Sequence, residues 1–189
     1  MTPDALLGGF TDAPRQSARA FRAALEAMAR PGTLWPIEGA APPAPLSVAA
    51  GVLILTLCDG TTPLYLGASC DLPVVRDWVR FHTGAPLVAV HEAQFALGTW
   101  ADLMPVDRFA IGLPDYPDRG ATLIVEVPAL TNQGPRLTGP GIATVAHLSL
   151  PDTATFRANR ALFPQGFDTY LTCGGQVAGL PRSTIVEAV

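Results

Sequence analysis

Arg182 followed by Ser183 and Thr184 sets a guanidinium fork beside two hydroxyls. Such a donor set suits a phosphate or phosphonate oxygen, and it suits a neighbouring carboxylate or carbonyl equally well. Gly139-Pro140-Gly141, directly after a predicted strand, frames a proline with two glycines. Backbone N–H groups in such a turn can approach a ligand closely, although a purely structural turn uses the same residues. Phe81-His82-Thr83-Gly84 places an imidazole at a helix end, where it either caps the helix or acts as a general base oriented by Asp59 or Asp168. Arg15, Arg19, Arg22, Glu26 and Arg30 gather on one face of a predicted helix. That face is either solvated, with an Arg22/Glu26 pair at i, i+4, or turned toward an anion or a partner. The candidate anion-binding set is therefore Arg22, Arg30, His82, Thr83, Gly139, Gly141, Arg182 and Thr184.

Composition removes several chemistries. All twelve basic residues are arginine, and no lysine occurs in the 189-residue sequence. A side-chain Schiff base to pyridoxal phosphate, a P-loop lysine and a Ser-Lys pair each need a primary amine, so none is open to this chain. GxSxG, HExxH, CxxC and EF-hand patterns are absent, and Gly139-Pro140-Gly141 does not continue into GxGxxG. His82, His91 and His147 lie far apart, and no metal site is expected from them. Three cysteines leave an odd thiol, which argues against a disulfide framework and for a reducing compartment. A net charge of −4 and a pI near 5.2 do not make the broad basic footprint that nucleic acid requires. Met1-Thr2-Pro3-Asp4 shows no basic n-region, and the apolar run Leu46 to Cys58 falls short of a membrane span. A cytoplasmic chain with one domain over residues 1–189 is the expectation, its core large enough to fold without staples.

The elements that must hold these residues follow from periodicity and punctuation. A helix is predicted from Pro14 to Arg30, with Ala18, Phe21, Leu25 and Met28 as its apolar stripe and Pro31-Gly32 as its stop. Leu46 to Leu57 reads as a buried helix, and Leu64 to Leu66 as a short strand. Asp71-Leu72-Pro73 opens another helix with Leu72, Val75 and Val79 turned inward, and Gly84 is its left-handed stop after Phe81-His82-Thr83. Strands are predicted at Leu87–His91, Gln94–Leu97, Leu123–Val127, Arg136–Thr138, Thr169–Cys173 and Val177–Leu180, with a helix from Thr153 to Phe163. Interleaved helices and strands imply an α/β fold whose mixed sheet is covered on both faces.

The order of short motifs says more than any one of them. Phe21-Arg22, Met28-Ala29-Arg30-Pro31-Gly32, Leu55-Thr56-Leu57-Cys58-Asp59, Phe81-His82-Thr83-Gly84-Ala85, Gly120-Ala121-Thr122, Gly139-Pro140-Gly141-Ile142, Phe163-Pro164-Gln165-Gly166-Phe167-Asp168 and Pro181-Arg182-Ser183-Thr184 follow one another in a pattern that resembles the PhnH family of the bacterial carbon–phosphorus lyase system. The likeness runs from about Phe10 to Val186, with Cys58 and Ser183 as departures from it. It implies a three-layer α/β/α sandwich with a mixed central sheet, similar to the large domain of pyridoxal-phosphate-dependent transferases but without their lysine. It further implies a homodimer that joins PhnG, PhnI and PhnJ, with ATP or a phosphonate as possible ligand. The step concerned joins a phosphonate such as methylphosphonate to the ribose of ATP with loss of adenine. A non-autonomous subunit is the first expectation. An independent transferase or hydrolase using His82 with Asp59 or Asp168 on a small phosphorylated metabolite is the second, and a purely structural assembly factor the third.

Overall fold

The structure, a computed structural model, describes residues 6–187, so the Met1–Asp4 stretch falls outside it. The elements run α1 (Ala13–Ala29), β1 (Trp35–Pro36), α2 (Val48–Leu57), β2 (Leu64–Leu66), α3 (Pro73–Thr83), β3 (Phe95–Thr99) and α4 (Trp100–Leu103). They continue with β4 (Ile111–Leu113), β5 (Tyr116–Gly120), β6 (Thr122–Glu126), β7 (Arg136–Thr138), β8 (Ala146–His147), α5 (Thr153–Ala161), β9 (Asp168–Cys173), β10 (Gln176–Leu180) and β11 (Ile185–Val186).

A mixed six-stranded sheet, ordered β1-β10-β9-β6-β3-β2, forms the centre. Strands β2, β3, β6 and β9 are mutually parallel, and β10 runs antiparallel to both β9 and β1. Successive side chains leave a strand on opposite faces, so β6 sends Ile124 to one core while Leu123 and Val125 enter another. The first core lies under α1, α2 and α3 and holds Leu53, Trp78 and Tyr170. The second holds Leu103 of α4, Phe156 of α5 and Leu137 of β7. That second cover is not purely helical, because the small sheet β11-β7-β8 shares it with the short helices. Each fully buried Leu, Ile or Val in these cores contributes roughly 1.5–3 kcal/mol.

Local chemistry explains the helix limits. The Ser47 hydroxyl accepts from the Ala50 N–H at 3.1 Å to start α2, whose residues are buried all round from Ala49 to Ile54. Pro73 opens α3, and Gly84 closes it at φ 70°. Asp152 caps α5 by accepting from the Ala154 and Thr155 N–H groups.

Four expectations need correction. The stripe expected inside on α1 lies outside, with Phe21 53% and Leu25 56% exposed and Ala18 also at the surface. Instead Ala20, Ala24 and Ala27 face the sheet, because α1 meets β10 at Gly179, where an added Cβ would stand 2.6 Å from the Ala27 carbonyl. Leu72 is 41% exposed, and Trp78 takes the inward place beside Val75 and Val79. No strand spans Leu87–His91: Leu87 makes a single bridge to Leu64, and Val90–Glu92 is a 3-10 turn. Helix α5 ends at Ala161, two residues before Phe163.

Candidate functional site

The four parallel strands begin at Leu64, Phe95, Thr122 and Asp168, and antiparallel β10 ends beside them, with Leu180 opposite Thr169. Helices α1, α2 and α3 end on the same side, since a helix that returns to start a parallel strand must finish at that strand's amino end. Met28 and Leu57 share a cavity of about 250 Å³ with Phe95, Thr122, Asp168, Tyr170 and Pro181. A second cavity of about 510 Å³ shares Phe95 and Thr122 and adds Gln94, Asp118, Arg119 and Gly120. Segments that carry the motif pattern, scattered from Met28 to Thr184, therefore meet at the amino edge of the sheet.

One ion pair organises that edge. Arg182 lies in the turn after β10 with its side chain 11% exposed, and its Nη2 donates to Asp168 Oδ2 at 2.7 Å. Its Nε lies 3.1 and 3.2 Å from the two Asp168 oxygens, and its main-chain N–H donates to Oδ1 at 2.8 Å. Nη1 donates to the Pro117 carbonyl. Gly120 makes this approach possible, for a Cβ there would lie 2.7 Å from Nη1. Burial, followed by the nearby Asp168 charge, raises the Tyr170 hydroxyl to about 12, and it donates to the Ala24 carbonyl at 3.3 Å.

The sequence-derived residues divide into two groups. Gly141, at φ 81°, packs against the Ala29 carbonyl, and Gly139 packs against Ser183 and Thr184, so Arg30, Gly139, Gly141, Arg182 and Thr184 come from segments in mutual contact. Thr184 is buried, and its hydroxyl has no partner among the described residues. The others are engaged locally. Arg22 and Arg30 both approach Glu26, at 3.7 and 3.3 Å, on the exposed side of α1. His82 turns Nε2 toward the Leu7 carbonyl at 3.3 Å and packs on Trp78 and Phe81. The Thr83 hydroxyl donates to the Val79 carbonyl and accepts from the Ala85 N–H. Asp59 is bonded to Thr61 and Thr62, and Asp168 to Arg182, so neither carboxylate serves the His82 ring. Residue-level reading missed Arg119, whose guanidinium lies 4.2 Å from the Tyr116 ring centroid and forms no ion pair among the described residues. Its signal was its place immediately before Gly120-Ala121-Thr122.

The opposite edge is chemically different. Asp102 accepts from the Thr99 hydroxyl at 2.8 Å, the Thr99 N–H at 3.1 Å, the Ser69 N–H at 3.3 Å and, at short range, the Ser69 hydroxyl. Burial pushes its pKa up but is outweighed by these bonds, which hold the carboxyl below its ordinary value. Glu126 accepts from the Ser47 N–H at 2.6 Å, at the start of α2, and from the Thr172 hydroxyl at 3.0 Å. Burial above all, with Glu126 and Asp102 nearby, pushes the Cys70 thiol to about 11 despite its contact with Ser69. Beside these groups runs an open groove of about 580 Å³ walled by Pro45, Trp100, Pro128 and Cys173. Open α/β sheets commonly take ligands at the carboxyl ends of their strands, with anions at helix amino termini. Here the chain's own carboxylates occupy those donors, and their charge disfavours a phosphate. Among the described residues, no three His, Cys, Asp or Glu side chains are grouped to hold a metal ion, and no helix is long and apolar enough to cross a membrane.

A family model described as "Bacterial phosphonate metabolism protein (PhnH)" matches residues 8–187. A protein of Rhizobium meliloti (strain 1021), named alpha-D-ribose 1-methylphosphonate 5-triphosphate synthase subunit PhnH, is 40% identical over 189 residues, covering 95% of this chain and 94% of its own length. A Stutzerimonas stutzeri protein, named putative C-P lyase subunit protein HtxG, is 33% identical over 182 residues, covering 93% of this chain and 87% of its own.

Proposed function

Because the chain belongs to the PhnH family of bacterial phosphonate metabolism proteins, whose relatives are named as subunits, we propose that it supplies a docking and positioning surface within a carbon–phosphorus lyase assembly rather than a catalytic group of its own. In this reading it works in the cytoplasm with PhnG, PhnI and PhnJ. The step is the one that joins a phosphonate such as methylphosphonate to the ribose triphosphate moiety of ATP. Its scaffold is the transferase-like α/β/α sandwich without a cofactor, and the free chain pairs with itself.

The observation that carries this reading is the contrast between the edges. Asp102 and Glu126 fill the donors at the carboxyl edge, while the family-bearing segments gather at the amino edge, where Arg182 is itself committed to Asp168. Among the described residues His82 faces the Leu7 carbonyl and Asp168 is bound to Arg182, an arrangement that disfavours the independent His82 enzyme. Purified full-length chain mixed with ATP and methylphosphonate is expected to show no turnover, and addition of PhnG, PhnI and PhnJ is expected to restore it. Turnover by the chain alone would sink the proposal. Light scattering tests the self-pairing.

Arg119 favours a second reading, in which the amino edge also touches an anion. Among the described residues its guanidinium has no carboxylate partner, and it lines the 510 Å³ cavity beside Gly120, which lies against the Arg182 guanidinium. Calorimetric titration with ATP and with methylphosphonate, on wild type and Arg119→Ala, decides it. Affinity that drops at least tenfold in the variant supports an anion contact, and equal affinity removes it.

A further inference from the structure

Helix α1 has two apolar faces of different kind. Its inner face is made of alanines, which let the helix lie close against β10 at Gly179. Its larger side chains, Phe21 and Leu25, stand more than half exposed on the outer side, followed at i, i+4, i+7 spacing by half-buried Met28. This spacing is the anchor pattern of a helix that lies in another protein's groove. The stripe does not end in solvent, because Met28 opens onto the cavity of about 250 Å³ whose walls include Leu57 and Tyr170. A bulky side chain from outside could therefore continue the stripe inward.

The charge beside the stripe indicates what kind of surface covers it. Arg15, Arg19 and Arg22 belong to α1, and Arg30 follows its end, against Glu26 as the helix's one acidic residue, in a chain whose net charge is −4. The exposed guanidiniums of Arg15, Arg22 and Arg30 meet only exposed Asp12 or half-buried Glu26, at 3.3 to 3.7 Å, contacts that are easily exchanged. A second copy related by a two-fold axis at the middle of α1 would set Arg22 against Arg22, a like-charge contact that costs affinity. Resting on the subunit reading above, we infer that the Phe21–Leu25–Met28 stripe, with its arginine flank, is the docking surface for a different subunit that offers an apolar furrow edged by carboxylates.

The test is co-expression of tagged full-length chain with PhnG, PhnI and PhnJ, followed by affinity purification at low and high salt. Phe21→Asp/Leu25→Asp is expected to weaken capture of a partner by about a hundredfold or more, as loss of central anchors does. Arg22→Glu is expected to weaken it about tenfold at low salt and less at high salt. Leu162→Asp, beyond α5 on the other side of the sheet, is expected to leave capture unchanged. Circular dichroism and melting temperature of each variant report folding, which Arg22→Glu, on an exposed side chain, leaves intact. Undiminished capture by the α1 variants overturns this surface while leaving the subunit reading in place. So does loss of self-pairing with capture retained, because the occupant is then a second copy. Failure of the wild type to capture any of the three subunits overturns the subunit reading as well.

Discussion

The two edges of the central sheet are built from the same strands yet are chemically opposite. At the carboxyl edge, carboxylates sit where an α/β fold would offer donors to a ligand: Glu126 at the start of α2, and Asp102 between Ser69 and Thr99. At the amino edge, where helices end and present carbonyls rather than N–H groups, the strongest group is a cation, Arg182, neutralised by Asp168. At each edge the chain's own side chains take up most of the charge that edge would otherwise hold for a ligand. Beyond the Arg119 guanidinium and the Thr184 hydroxyl, what stays uncovered is the outer stripe of α1 and the cavity it leads to. This contrast teaches that side chains of an α/β scaffold can themselves occupy the donors that the fold would otherwise offer to an anion.

The largest expected effect comes from breaking the amino edge. Arg182→Ala strands a partly buried Asp168 and frees the Pro117 carbonyl, and should lower stability by about 3 kcal/mol in urea denaturation. Arg182→Lys should recover only part of this, since an ammonium cannot span both carboxylate oxygens. A loss below about 1 kcal/mol would show that the pair does not organise that edge.

The carboxyl edge should respond less, and in a pH-dependent way. Asp102→Ala removes the reciprocal cap with Thr99 and should cost about 1 kcal/mol near neutral pH. The Asp102 carboxyl is held below its ordinary value, so its contribution is complete above about pH 4, the unfolded value, and fades as pH falls through the lower folded value. Wild-type stability should therefore fall more steeply with acid than that of the variant. Parallel curves would remove Asp102 from the account.

Glu126→Ala sharpens the comparison in the other direction. It releases the Ser47 N–H at the start of α2 and the Thr172 hydroxyl, so weak, millimolar binding of inorganic phosphate should appear where wild type shows none. Chemical-shift titration reads this directly, and no new binding would mean that Glu126 does not block an anion site.

The smallest effect separates the thiols. Burial first, with Asp59 adding to it, raises Cys58 to about 12, and Cys70 stands at about 11, while Cys173 is partly open. A thiol reagent at pH 8 should label Cys173 well before the other two in folded protein. Because both buried thiols are raised, their contribution to stability is whole below about pH 8.5, the unfolded value, and declines as pH rises toward those values. Equal labelling of all three would show the cores to be more open than described.

Much of the fold was legible because its signals are local. Pro14, Pro73 and Gly84 mark helix limits through dihedral preferences that involve only a few residues on either side, whereas the caps Ser47 and Asp152 went unread. Strands β6, β7, β9 and β10 were placed to within a residue at each end, whereas the short β8 and β11 were not foreseen. The inner face of α1 was not legible, since Phe21 and Leu25 are the more hydrophobic residues and only Gly179, far along the chain, makes alanine the better fit. The β4–β5 hairpin passed unnoticed, because its strand Tyr116–Gly120 holds proline, aspartate, arginine and glycine, which carry no strand preference. Of the candidate residues, Gly139, Gly141 and Arg182 lie on segments that meet, while Arg182 is bound to Asp168 and His82 faces a carbonyl.

By itself, the sequence determined which chemistries are closed: a chain without lysine has no primary amine in its side chains, whatever its fold. It also determined where most helices start and stop, because those choices are made by backbone preferences over a few residues. Only the tertiary structure decided which motifs meet, which arginine is already paired and which face of α1 remains uncovered. Those outcomes depend on contacts between residues from 14 to more than a hundred positions apart, and such contacts exist only once the sheet has closed.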